Sequence, residues 1–439
     1  MKNYKNLPDD LQSRICAIET VEGVLQKKLN FDVAFEAALK KCAHMDPRDR
    51  GFAREAAAQL LRRLGQVDHV LQALSDRPLK KITPDRLVML LRIAAVQMLF
   101  MDVRDHAAVD TSVRLAIALG CVKQKGFVNG VLRSLGRQQK ELLEKTDIKS
   151  NTPDWLYKTW MRDYGADAAA KIADAHLQPG PVDITIKSSS ENQTDWAKRL
   201  GGVAMPNGQI RLTKSGFVPS LEGYADGSWW VQSASAALPV QLMSFDEGAH
   251  VVDLCAAPGG KTMQLAARGA KVSAVDIARK RLGRIRENLE RCNLNAEIEA
   301  ADGRVWMPKR PVDAVLIDAP CSATGTIRHQ PDVLHTKKPG DVQRLIETQS
   351  EILQNASKFV RKGGEIIYCT CSLQKSESEN VVDAFLKENS AFSLKPYTKD
   401  DLPWLPEAVT DQGYIRVLPF HDQENGGMDG FFIARVIRA

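Results

Sequence analysis

The 439-residue chain carries 60 Lys and Arg against 54 Asp and Glu, a formal net charge of +6, with 44% hydrophobic and 26% charged residues. This composition excludes wholesale disorder, and the length exceeds one typical core, so two or three domains are expected. Eight cysteines in a chain this long do not make a disulfide scaffold, none falls in a Cys-x-x-Cys pair, no metal site is expected, and the mild basicity is compatible with a polyanionic partner without requiring one.

The N-terminus MKNYKNLPDDLQSR is polar and holds no apolar signal core, and free thiols point to a reducing compartment. A cytoplasmic, monomeric protein is expected, with no membrane association. Residues 1–145 read as helical. Ala and Leu recur at helical spacing in FAREAAAQLLRRLGQVDHVLQAL, Thr83-Pro84 suits a helix start, and Gly120 stands where a C-terminal cap belongs. The most apolar run, residues 87–101, is interrupted by Arg92 and Gln97 and is shorter than a membrane span, so a buried helix is expected. Residues 146–240 change character. VDITIKSS, GQIRLTKSG and GSWWVQS read as short strands between turns, in a small α+β subdomain.

Residues 241–439 alternate. HVVDLC, KVSAVDI, AEIEAADG, VDAVLIDAP and GGEIIYCTC read as strands separated by helices, and GFFIARVIR as a terminal strand. That pattern predicts a mostly parallel, doubly wound α/β domain.

The first βα turn is DLCAAPGGKT, residues 253–262. A Walker A loop would need glycine at Cys255, and a dinucleotide fingerprint needs G-x-G-x-x-G where only Gly259-Gly260 stands, so both phosphate readings fail. A nucleoside cofactor without polyphosphate remains. Asp276 ends the second strand, where a carboxylate accepts from ribose hydroxyls, and Asp302 follows the third, within reach of an adenine edge. Three Asp residues at successive strand ends, counting Asp253, weigh against the plainer view that each caps the next helix.

DAPCSATG (residues 318–325) and YCTCSL (residues 368–373) each bring a cysteine to the carboxyl edge of the sheet. C5 of cytosine is a poor nucleophile. A thiolate added at C6 makes C5 enamine-like and able to take a methyl group, and cysteine suits that covalent step. A carboxyl at N3 stabilises charge on the ring, and Asp318 is placed for it. Removing the C5 proton and expelling the enzyme call for a second acid/base group. Cys16, Cys42, Cys121 and Cys292 read as buried hydrophobes, as does Cys369, expected on the face opposite Cys371.

Together DLCAAPGGKT, DAPCSATG and TCS closely resemble the signatures of the RNA cytosine-C5 methyltransferase family, the Nop2/Sun family. In the helical region, DPRDRGFARE and KGFVNGVLR resemble a NusB-like RNA-binding domain. With the closing GGMDGFFIARV, the resemblance covers nearly the whole chain. It implies a NusB-like all-α domain over 1–145, a small α+β linker subdomain over 146–240 and a Rossmann-like class I methyltransferase domain over 241–439. It implies S-adenosyl-L-methionine as cofactor, contacted by Cys255, Ala256, Ala257, Pro258, Gly259, Gly260, Lys261, Asp276, Asp302 and Asp318. It also implies Cys371 as nucleophile and Cys321 as the residue assisting product release. The residues alone do not rank the two cysteines, since Pro320-Cys321 has the look of the Pro-Cys used by DNA cytosine methyltransferases.

Two positions depart from the family pattern: Ser233 stands where relatives carry Asp after Val231-Gln232, and Cys369 where they often carry Ala. Arg328, following the catalytic loop, is the candidate RNA contact. The basic run Arg279, Lys280, Arg281, Arg284, Arg286 and Arg291 reads as a solvated helix face, and Trp229 and Trp230 as core. The expected substrate is a cytosine in small-subunit 16S rRNA, free or in a partly assembled small ribosomal subunit. The same chemistry on tRNA, or a non-catalytic RNA-binding or ribosome-assembly role, are the alternatives. Intact motifs weigh against the last, and motifs fitting the RNA family weigh against DNA.

Overall fold

In the computed structural model, residues 4–42, 45–188, 192–213 and 216–439 are described, and two compact units emerge: Met1–Gln178 with Ile327–Lys337, and Pro179–Thr326 with Lys338–Ala439. The first is helical: α1 (Asp9–Lys27), α2 (Phe31–Leu39), α3 (Pro47–Ala73), α4 (Asp85–Phe100), α5 (Asp105–Ala118), α6 (Lys125–Glu144), α7 (Asp154–Tyr164) and α8 (Ala166–Ala175). Local signals set its boundaries. Asp46 caps α3 by accepting from the Asp49 N–H, with Pro47 at the first helical position. At the end of α5, Gly120 (φ 82°) donates to Ile117 O and Cys121 to Ala116 O, a Schellman cap. Both interruptions in the apolar α4 are satisfied: Arg92 forks onto Asp68 (2.7 and 2.7 Å), and buried Gln97 donates to Ile93 O (2.9 Å). Among the described residues no helix is long and apolar enough to cross a membrane.

The second unit opens with a four-stranded antiparallel sheet. β1 (Asp183–Ile186), β2 (Gly202–Ala204), β3 (Ile210–Leu212) and β4 (Trp229–Val231) lie in the order β2-β3-β1-β4. Helix α9 (Gln193–Leu200) packs its Trp196 with Ile184, Ile210 and Trp229. Helix α10 (Ala234–Gln241) leads into the large sheet of β5 (His250–Leu254), β6 (Lys271–Val275), β7 (Glu297–Glu299) and β8 (Val312–Asp318), with helices α11 (Gly260–Ala267) and α12 (Arg279–Arg291). The chain then lends Ile327–Lys337, including the short α13 (Val333–Thr336), to the helical unit. It returns as α14 (Pro339–Ala356), β9 (Val360–Thr370), α15 (Glu379–Glu388), β10 (Phe392–Leu394), β11 (Ile415–Val417) and β12 (Phe431–Arg438).

Strand order is β10-β12-β9-β8-β5-β6-β7, with β11 on β12; β7 through β9 are parallel, while β10, β11 and β12 run antiparallel. Val252, Leu254, Val315 and Ile317 face one buried cluster and Val251, Ala314 and Leu316 the other. Burial on both faces is why these strands are nearly continuous apolar runs. From β5 the order runs outward to β7 and then returns to β8 beside β5, so the switch point lies between β5 and β8, where doubly wound sheets bind ligands.

Candidate active site

The turn after β5 is bent for close approach. Cys255 and Gly259 take left-handed backbone (φ 62° and 102°), and a Cβ on Gly259 would press on Ile285 at 3.1 Å. Asp276 ties the turn down. Its Oδ2 accepts from the Ala257 N–H (3.0 Å) and its Oδ1 from the Ala278 N–H (2.8 Å). Asp276 therefore braces the turn and the Ala278 N–H ahead of α12, but it does not cap that helix, whose N-cap residue is Ala278 with no side-chain cap. Thr262 donates to Asp253 Oδ2 (2.6 Å), while the other Asp253 oxygen is buried without a partner. Burial, and next the neighbouring carboxylates Asp318, Asp276 and Asp253, push the Cys255 thiol up, so three acidic groups converge on this turn.

Lys261, one residue into α11, is buried and bonds Asp318 Oδ2 at 2.8 Å. Burial alone would lower its ammonium. The pull of Asp318, with Cys369 and Asp253, outweighs that and holds it above its ordinary value. Beyond β8 and β9 the two motif cysteines meet: Cys321 Sγ lies 3.5 Å from Cys371 Sγ. The Cys371 sulfur, then burial, push the Cys321 thiol well up. Cys369 is fully buried, with its Sγ 3.8 Å from Asp318 Oδ1; burial first and that carboxylate second push its thiol well up. The expectation that Cys369 faces away from Cys371 is corrected: both pack against one apolar cluster, because residues two apart on a strand share a face.

A cleft of about 490 Å³ opens over this edge. Ala256, Pro258, Gly260, Lys261, Asp318 and Cys371 line it, together with Tyr224, Trp230, Gln232 and Ser233. Asp302 stands outside that lining. Its Oδ1 accepts from the Arg304 N–H (3.0 Å), and the Arg304 guanidinium grips both oxygens and holds the carboxyl below its usual range. As placed it closes a turn. Arg328 is buried rather than exposed, and Arg62 donates to its carbonyl (2.7 Å). Trp229 and Trp230 are core, donating to Glu222 O and Gln232 Oε1 (2.9 Å each). In α12, Leu282, Ile285 and Leu289 are buried while Arg279, Lys280, Arg281, Arg284 and Arg286 are exposed; Arg291 turns inward to the Tyr224 and Trp229 carbonyls.

The missing carboxylate at 233 is replaced twice over. Ser233 Oγ accepts from the Ala236 N–H (3.4 Å) as the α10 cap, and Asp183 reaches across to accept from the Ala234 N–H (2.9 Å). Sequence reasoning missed the groups that join the two cysteine loops. Gly325 donates to Cys371 O (2.8 Å), and a Cβ on Gly325 would stand 2.0 Å from Gly430 O, so only glycine fits. Ser322, Ser372 and Glu377 form a buried hydrogen-bonded cluster directly behind the thiols. The serines sit inside the quoted motifs, but nothing in the spacing ties them to Glu377.

Comparison with known proteins places this geometry. A family model described as 16S rRNA methyltransferase RsmB/F matches residues 240–437, and a NusB family model matches residues 11–137. Ribosomal RNA small subunit methyltransferase B of Serratia proteamaculans (strain 568) is 35% identical over 408 residues, 89% of this chain and 91% of its own. The protein of the same name from Shigella boydii serotype 18 (strain CDC 3083-94 / BS512) is 32% identical over 455 residues, 100% of both chains. The crystal structure of PH0851 superposes with a TM-score of 0.74 at 21% identity, covering 99% of this chain and 100% of that one, which shows the shared fold. The helical N-terminal part is thus a NusB-like domain and the large sheet a Rossmann-like methyltransferase domain; the chain belongs to the RsmB/F family of 16S rRNA methyltransferases.

Proposed function

We propose that the chain transfers a methyl group from S-adenosyl-L-methionine to C5 of a cytosine in 16S rRNA, through a covalent bond between Cys371 and C6. The observation that carries this reading is Cys371 in the lining of the cleft that the cofactor turn also lines, with the Cys321 thiol 3.5 Å from it. The residues of the turn fit the cofactor. Ala256, Pro258 and Gly260 leave the backbone open, and the Asp318 carboxylate in the same lining, with Asp276 bonded to the turn, suits a cationic sulfonium. S-adenosyl-L-methionine, held by residues 255–261 with Asp276 and Asp318, supplies an electrophilic methyl group.

The chain's own groups do the rest. Cys371 adds to C6 and makes C5 nucleophilic. Asp318, fixed by Lys261, holds a carboxyl at the N3 edge of the ring. After methylation the C5 proton must leave, and the C6–S bond then breaks to restore the aromatic ring and the Cys371 thiolate. Cys321, 3.5 Å from Cys371, accepts the C5 proton as its thiolate, its own proton having first left to solvent, and ends the step as a thiol. The target base must leave any stack to reach the thiolate, so an unpaired or extruded cytosine is expected. In this reading residues 1–145 hold RNA, 146–240 form a linker subdomain and 241–439 carry the transfer.

The test is to incubate Cys371→Ala and Cys321→Ala separately with undermethylated 16S rRNA and labelled S-adenosyl-L-methionine. Cys371→Ala should neither methylate nor form an adduct. Cys321→Ala should accumulate a protein–RNA adduct that survives denaturation. The reverse pattern would reassign the two cysteines, and full activity without either thiol would overturn the mechanism.

A further inference from the structure

Behind the two thiols, Glu377 is fully buried, at the end of the turn Lys375–Glu377 that follows β9. Its Oε1 accepts from the Ser322 N–H (2.8 Å) and from Gln349 Nε2 (3.2 Å). Its Oε2 accepts from the hydroxyls of Ser322 (2.5 Å) and Ser372 (2.6 Å). Ser322 follows Cys321 and Ser372 follows Cys371, so one carboxylate binds the residue after each cysteine. The rest of the cluster tightens the same joint. Gln349 also donates to Pro320 O (2.9 Å), Gln374 N–H donates to Ser372 Oγ (3.0 Å), and Tyr368 OH donates to the Glu377 carbonyl (2.8 Å).

A buried carboxylate is expensive unless its lone pairs are used, and four donors use them here. No ion pair of Glu377 occurs among the described residues; its partners are a backbone amide, a side-chain amide and two hydroxyls. Hydroxyls and amides would suit a neutral group as well. What the carboxylate adds is four acceptor sites at one point, between two loops that come from different strands.

We propose that Glu377 is the positioning residue of the two-cysteine centre, holding Cys321 and Cys371 together so that the C5 proton is handled and the adduct released promptly. The proposal rests on the covalent reading given above. It assigns Glu377 no contact with RNA or cofactor.

The experiment uses full-length enzyme, undermethylated 16S rRNA and S-adenosyl-L-methionine, quenched into denaturant over time. The readouts are adduct decay, methyl incorporation and cofactor affinity, with wild type and Cys321→Ala as controls. Glu377→Ala should slow adduct decay about tenfold, the worth of one charge-assisted hydrogen bond, toward the behaviour of Cys321→Ala. Cofactor affinity should stay within about twofold, because the cofactor turn is a separate loop. Glu377→Gln should restore most of the decay rate, since its amide oxygen still accepts from the Ser322 N–H while the serines accept from its nitrogen. If Glu377→Ala does not fold, Ser372→Ala cuts the arm to the Cys371 loop alone and should shift decay the same way. Variants that lose methylation and cofactor affinity together, with adduct no longer-lived than in wild type, overturn the proposal. If Cys321→Ala itself leaves no lasting adduct, the two-cysteine reading fails and this proposal with it; if only the Glu377 and Ser372 variants do, the proposal alone fails.

Discussion

Asp253 closes β5 with one oxygen on Thr262 and the other buried without a partner, and burial raises its carboxyl to about 7. Thr262 lowers that value, while Asp318 and Asp276 raise it further and Lys261 pulls it down. Between about pH 4 and pH 7 the folded chain therefore keeps a proton that the unfolded chain has released. Its contribution to stability is complete below the unfolded value and is lost as pH rises through the folded one. From pH 5 to pH 8, wild type should lose on the order of 2 kcal/mol relative to Asp253→Asn, read from urea midpoints. Parallel pH curves for the two proteins would contradict the assignment. At this scale the sequence was most legible where chemistry demands a rare residue in a motif. Cys321, Cys371, Lys261 and Asp318 could be picked from DLCAAPGGKT, DAPCSATG and TCS because few other roles use them in that order. Glu377 could not, since a Glu in SLQKSESEN looks like any surface charge until the fold buries it. The burial of Arg328 was not legible either: nearness in sequence to the catalytic loop says nothing about exposure.

At the scale of elements, a buried strap holds the small sheet to the turn before β12. Arg211 on β3 forks onto Asp183 of β1 (2.7 and 3.0 Å) and donates to the carbonyls of Asn425 and Gly427 (2.8 and 2.9 Å). Both side chains are nearly inaccessible, so removing one leaves the other charge desolvated. Arg211→Met should cost about 3–5 kcal/mol in urea unfolding. A loss under about 1 kcal/mol would mean the pair behaves like an exposed one. The central strands were readable because burial on both faces forces apolar runs such as VVDL and AVLI. β10 and β11, three residues each, carry too few positions for a period to show. The direction of β12 was not readable either. Parallel and antiparallel pairing ask the same residues of GFFIARV, and only the chain's return through β10 and β11 decides it.

For the whole molecule, the order β7-β6-β5-β8-β9 brings three motifs that lie up to 118 positions apart in sequence to one edge: Asp253 at β5, Asp318 at β8 and Cys371 after β9. Alternation of strands and helices foretold a doubly wound sheet, and that fold alone puts the carboxyl ends of its parallel strands on one side. It did not foretell that Trp230 of the small sheet, with Gln232 and Tyr224, would join the lining of the cleft, because short strands between turns carry no address. Net charge of +6 is compatible with RNA and decides nothing further. The central claim is that Cys371 bonds C6 of a cytosine in 16S rRNA. The most direct measurement replaces that cytosine's C5 hydrogen with fluorine, which cannot leave as a proton does, and maps the cross-linked peptide by mass spectrometry after reaction with S-adenosyl-L-methionine. The account predicts a stable adduct on Cys371, and an adduct on Cys321, or none at all with RNA that is otherwise methylated, would contradict it.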